Sequence, residues 1–217
     1  MYKTPPTLSE HRLFAYVEEL GAVGATPEGG VRRLALTDED KAGRDLLVSW
    51  MQEANLTIQV DAIGNIFGTR QGKRDLPPVM TGSHIDTVGN GGKLDGNLGV
   101  LAGLEIVQTL NDHHLETTRP ITIAIFTNEE GARFQPDMMG SLVHAGGLDI
   151  QEALDLRDDR GLRIRDELQR IGYSGDMPPG AIVPHAFIEL HIEQGPILER
   201  EEVTLGAVED LQGISWT

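Results

Sequence analysis

Short β-branched runs that stop abruptly in clusters of Gly, His, Asp and Glu constrain this chain more than any other feature. Ile121–Thr127 alternates as a strand does, and Asn128-Glu129-Glu130-Gly131 follows at once. Pro78–Ser83 reads as a buried strand running into His84–Asn97, a loop dense in glycine. Ala186–Ile192 reads as a third core strand and Val203–Val208 as a fourth. Between them lie segments suited to helices: Leu98–Leu110, Met138–Ala145 and Arg160–Ile171. Strands alternating with helices predict an α/β fold, a mostly parallel mixed sheet flanked by helices. In such sheets reactive groups gather just outside the strand ends, and three segments of this chain put His, Asp and Glu there.

Upstream, Thr7-Leu-Ser-Glu10 has the capping-box pattern, ahead of Leu13, Phe14, Val17 and Leu20 on one helix face. Thr37-Asp-Glu-Asp40 puts acids in the first turn of a second helix reaching about Ala54. Thr57–Val60 and Asn65–Thr69 are short β-like runs around Gly64, and Gly175–Pro184 is a Pro/Gly linker.

The 217 residues allow one domain, or one and a fragment of another. With 18 Lys and Arg against 34 Asp and Glu, the net charge is −16. Such an acid excess disfavours nucleic acid and anionic membrane as partners, since both are bound mainly by Lys and Arg. There is no cysteine, which excludes disulfides, thiolate metal sites and cysteine nucleophiles. Met1–Leu13 lacks an apolar signal core and no stretch of ~18 apolar residues occurs; the expectation is a soluble, cytoplasmic protein. A metal site here must use His, Asp and Glu.

Four constellations could supply one. In Gly82-Ser-His84-Ile-Asp86 an extended backbone would put His84 and Asp86 on one side, where a carboxylate can orient an imidazole; a polar Asx turn is the plainer reading. Asp95, set between Leu94 and Gly96, could bridge two cations through its two oxygens, or could simply cap the helix that follows. Glu129 and Glu130 are adjacent like charges after a strong strand, which tend to acquire a cation or a proton unless they are merely surface charge. Glu189, His191 and Glu193 alternate with Leu190 and Ile192, as on a half-exposed strand. Together they offer two His and several carboxylates, a donor set suited to a hydrolytic centre of two divalent ions.

In the order GSHIDT, GGKLDGNLGVLAGLE, TNEEGARF, ELHIEQGPILE, the chain resembles the M20-type metallo-amidohydrolases. TNEEGARF with MMGSLVHAGGL, and HIEQGP, are similar to the N-carbamoyl-L-amino-acid hydrolase branch with its β-ureidopropionase and allantoate amidohydrolase relatives. The resemblance implies a zinc-peptidase-like catalytic domain that hydrolyses the carbamoyl or ureido C–N bond of a small amino-acid-like substrate. It implies two divalent ions, Zn or else Mn, Co or Ni. His84 and His191 would bind the first ion, Glu130 the second, and Asp95 would bridge them. Glu129 would be the general base, Asp86 would orient His84, and Gln194 would touch substrate. An aminoacylase or dipeptidase of the wider family is the alternative. His11, His113, His114, His144 and His185 match no ligand position.

The family pattern also departs from this chain. It continues past Thr217, with a further His ligand near its C-terminus and an inserted dimerisation domain that makes the family homodimeric. The expectation is therefore a catalytic segment over residues 1–210 and the truncated start of the insert over residues 211–217. A non-catalytic fragment, or a half-subunit lacking its last ligand, is the competing reading.

Overall fold

The structure is a computed structural model, and it describes residues 5–210; the expected start of a second domain, residues 211–217, lies outside the described residues. The first helix, α1 (Glu10–Ala22), is capped by Ser9, whose hydroxyl oxygen accepts the N–H of Arg12. The cap is thus Ser9 and not Thr7, and Phe14, at the margin of the apolar stripe, is exposed while Val17 and Leu20 are buried. In α2 (Asp38–Glu53) Thr37 caps the N–H of Asp40 as the sequence suggests, and three acids in the first turn complement the positive end of the helix.

Asp40 does not stay at the surface. It is fully buried, and its Oδ2 accepts the Leu36 N–H and the Arg44 Nε–H, both at 2.8 Å. Arg44 is equally buried and donates onward to the Gly64 carbonyl at 2.7 Å and to Thr127 Oγ1 at 3.3 Å. One ion pair therefore anchors α2 to the loop around Gly64 and to the residue where the strongest strand ends.

Five strands form one mixed sheet: β1 (Thr57–Val60), β2 (Ile66–Arg70), β3 (Val79–His84), β4 (Ile121–Phe126) and β5 (Ala186–Ile188), in the order β1-β2-β4-β3-β5. β1 with β2 and β2 with β4 are antiparallel; β3 is parallel to both β4 and β5. α3 (Asn97–Asp112) makes the crossover from β3 to β4 and packs on both, with α1 against its outer side. The helices α4 (Met139–His144), α5 (Ile150–Asp155) and α6 (Ile164–Ile171) complete the main core with Leu47, Met51, Ile66, Leu104 and Ile125. A smaller cluster of Phe67, Met80 and Ala124 is packed by Phe126, Met177 and Ile182. No helix among the described residues is long and apolar enough to cross a membrane.

Three expectations give way. α6 begins at Ile164, not Arg160, because Asp158 Oδ1 accepts the N–H groups of Arg160 and Leu162 and holds them in a turn. β5 stops at Ile188, so Glu189, His191 and Glu193 do not share a strand face; its pairing with β3 ends at Thr81 opposite Ile188. Residues 203–208 form no strand, and Val203, Leu205 and Val208 are exposed. A β-branched alternation makes a strand only where a neighbour completes the ladder. A short helix the sequence did not suggest, α7 (Ile197–Arg200), precedes them.

Asp40→Ala would strand the Arg44 charge in the core. Urea unfolding should show a loss of about 3–5 kcal/mol. A loss below about 1 kcal/mol would mean that Gly64 and Thr127 hold Arg44 without its carboxylate.

Candidate metal centre

β3 and β4 are parallel, and their last paired residues are His84 and Phe126, so both strands end on the same edge of the sheet. His84 is 2% exposed on its side chain. Its Nδ1 lies 2.9 Å from the carbonyl oxygen of Asp86. Donation to that carbonyl leaves the lone pair of Nε2 free toward the site. The Asp86 carboxylate is farther from the ring, at 3.9 Å, so the carbonyl of Asp86 and not its carboxylate meets the imidazole. That carboxylate turns to the other strand end, accepting the N–H groups of Glu129 at 3.1 Å and Glu130 at 3.2 Å. Asn128 makes the approach possible. It adopts φ +54°, which asparagine tolerates better than most residues, and its side-chain amide donates to the carbonyls of Phe134 and Pro136.

Asp95 does not cap α3. The helix starts at Asn97 after Gly96, and no side chain caps it. Gly96 has φ +64°, and a Cβ there would lie 2.4 Å from His84 Nε2, so only glycine lets this loop close over the imidazole. The turn aims Asp95 into the site. Its Oδ1 is 3.3 Å from His191 Nε2, and its Oδ2 accepts from Gln194 Nε2 at 2.6 Å. His191 Nδ1 lies 2.8 Å from the Ile192 carbonyl, and its ring stacks 6.1 Å from that of His84. Glu129 Oε2 is 3.3 Å from His84 Nε2.

His84, Asp95 and His191 thus each bring one ligand atom within 4.8 Å of the others, and so do His84, Glu129 and Glu130. Asp95 Oδ1 and Glu130 Oε1 are buried yet accept no hydrogen bond. Burial, with Asp95, Glu129 and Asp86 nearby, pushes Glu130 up to about 7 against the pull of His84. Burial likewise lifts Asp86 to about 6, with Asp40 adding to it and His84 and the two N–H donors opposing. Burial works against the His84 imidazolium, but Asp86, Glu129 and Glu130 together raise its pKa. Crowded carboxylates with unused oxygens around an imidazole are a donor set that a divalent cation fits.

Sequence reasoning missed three contributors: Arg33, Asn97 and the steric role of Gly96. Arg33 is fully buried behind the site, in contact with Ile85 and Asn97. Nothing in Val31-Arg-Arg-Leu34 separates it from Arg32, which is exposed. His144 lies outside the centre, 3.1 Å from the Ile182 carbonyl and against the Phe67 ring.

The sequence profile of peptidase family M20/M25/M40 matches residues 80–211, and the chain belongs to that family. It is 48% identical over 206 residues to the N-carbamoyl-L-amino-acid amidohydrolase of Rhizobium meliloti, covering 94% of this chain and 50% of that protein. Identity to the N-carbamoyl-L-amino acid amidohydrolase of Geobacillus stearothermophilus is 45% over 210 residues, covering 94% and 51%. A hydantoinase/carbamoylase family amidase from Burkholderia multivorans superimposes with a TM-score of 0.89 at 53% identity, over 90% of this chain and 48% of that one. The chain spans about half the length of the curated relatives it matches.

The raised values of Asp86, Glu130 and His84 all mean that the folded chain holds protons the unfolded chain would release. Stability without metal should therefore fall as pH rises from about 5 to about 8. Melting curves in chelator across that range test this. Glu130→Gln should flatten the slope, and a stability that rises with pH in wild type but not in the variant would contradict it.

Proposed function

We propose that the protein hydrolyses the carbamoyl C–N bond of N-carbamoyl amino acids at a centre of two divalent ions. The observation that carries this reading is the convergence of His84, Asp95, Glu129, Glu130 and His191, with two orphaned carboxylate oxygens among them. Similarity to proteins named for that reaction supports it. His84, Asp95 and His191 would hold one ion, and Asp95 with Glu130 the second; Zn, Mn, Co and Ni all suit such donors. When bound, the ions would acidify water and polarise the carbamoyl oxygen.

In this reading Glu129 would be the general base. Its side chain is 32% exposed, against 2% for Asp86, and its backbone N–H is held by the Asp86 carboxylate. It would take the proton of the attacking water and return it to the leaving nitrogen. Water attack and C–N cleavage yield the amino acid and carbamic acid, which decomposes to ammonia and carbon dioxide. Gln194, which donates to Asp95 Oδ2, would turn to the substrate and leave Asp95 to the ions. The same reading carries a cytoplasmic location and, for a full-length family member, a homodimer.

Ammonia release from an N-carbamoyl-L-amino acid, with Zn²⁺ or Mn²⁺ supplied, tests the activity. None from wild type would favour the non-catalytic reading. Glu129→Gln should lower the rate by about 10²–10⁴-fold with metal content, measured by atomic emission, unchanged. Loss of metal instead of rate would mean that Glu129 and Glu130 exchange roles.

A further inference from the structure

Arg33 is fully buried, yet its guanidinium touches no carboxylate among the described residues. Its four hydrogen bonds all end on neutral oxygens. Nε donates to the Ile85 carbonyl at 2.7 Å, and Nη1 to the carbonyls of Leu20 at 2.9 Å and Val23 at 2.8 Å. Nη2 donates to the side-chain oxygen of Asn97 at 2.9 Å. Leu20 and Val23 lie at the C-terminal end of α1, where the helix presents partial negative charge. Burial brings Arg33 down to about 10, with Asp40 and Asp86 opposing, so it stays charged at neutral pH.

Two of these contacts matter for the site. Ile85 directly follows His84, and Asn97 lies two residues after Asp95. The backbone of Arg33 grips the same loop near its His84 end: its N–H donates to Thr87 Oγ1 at 2.8 Å, and its carbonyl accepts the Thr87 N–H at 2.9 Å. Asn97 grips its Asp95 end, donating to the Lys93 carbonyl at 3.1 Å. The side chain packs close against α2, where a Cβ on Gly43 would lie 2.9 Å from Arg33 Cδ.

We propose that Arg33 is a positioning residue of the metal centre: by holding Ile85 and Asn97 at once, it sets the separation between the His84 end and the Asp95 end of the loop that joins β3 to α3. The inference rests on the metal reading above. A rigid planar fork can satisfy several acceptors in fixed directions, which a lysine ammonium cannot. A partner that orients ligands typically changes metal affinity by about 10–100-fold when removed.

The test is Co²⁺ titration of the 217-residue chain, followed by calorimetry and by the visible absorption of the bound ion, well below each variant's melting temperature. Arg33→Lys and Asn97→Ala should each bind Co²⁺ about 10–100-fold more weakly and shift the visible band. Leu47→Ala, a core truncation in α2, should destabilise the fold and bind as wild type does. Folded Arg33→Lys and Asn97→Ala that bind like wild type would overturn the proposal. So would Leu47→Ala binding as weakly as they do, since the effect would then be general loosening. If Arg33→Lys does not fold, Asn97→Ala, which spares the other three contacts of Arg33, decides alone. A wild-type chain that takes up no Co²⁺ overturns the metal reading, and this inference falls with it; wild-type binding with unchanged variants removes only the inference.

Discussion

The site exists because one buried carboxylate joins two strand ends. Parallel pairing brings β3 and β4 out at the same edge, but it does not dictate where the chain goes next. Asp86 does, by accepting two successive N–H groups from the far loop while its own carbonyl fixes His84. The arrangement costs desolvation of a carboxylate, visible in its raised pKa. With it, the imidazole and the backbones of both glutamates share one hydrogen-bonded frame.

That frame also separates two chemically identical neighbours. Side chains of adjacent residues diverge, so Glu129 and Glu130 meet different surroundings. Glu130 carries a buried oxygen without a partner and a pKa near neutrality, whereas Glu129 is partly open and reaches His84 Nε2. Environment rather than residue type is what can give two carboxylates two tasks.

The parts of the fold legible in the sequence are those whose causes are local. Thr37 and its acids mark α2, the alternation of Ile121–Phe126 marks β4, and the Gly-rich loop after Ser83 marks a functional strand end. The sequence left Asp95 open between cap and ligand, because an aspartate before Gly96 and an apolar helix looks the same in both roles. With Gly96 at φ +64° no side chain caps α3, and only the approach of His84 shows why glycine is needed there. Ala186–Ile192 looked like a full strand, but its length is set by pairing with β3, which periodicity does not report. Arg33 was invisible for a related reason: burial of an arginine is decided by acceptors from α1, the β3 loop and α3, none of them near in sequence.

β5 pairs with β3 on one side, and its outer edge has no strand neighbour among the described residues. Phe187 and Ile188 are exposed on it, and so is Val183 just before it in the chain. An edge of this kind is a template for another chain. What opposes it is the net charge of −16, which makes copies repel at distances up to a Debye length, about 8 Å at physiological ionic strength. Added salt screens that repulsion and leaves the apolar attraction of the edge in place.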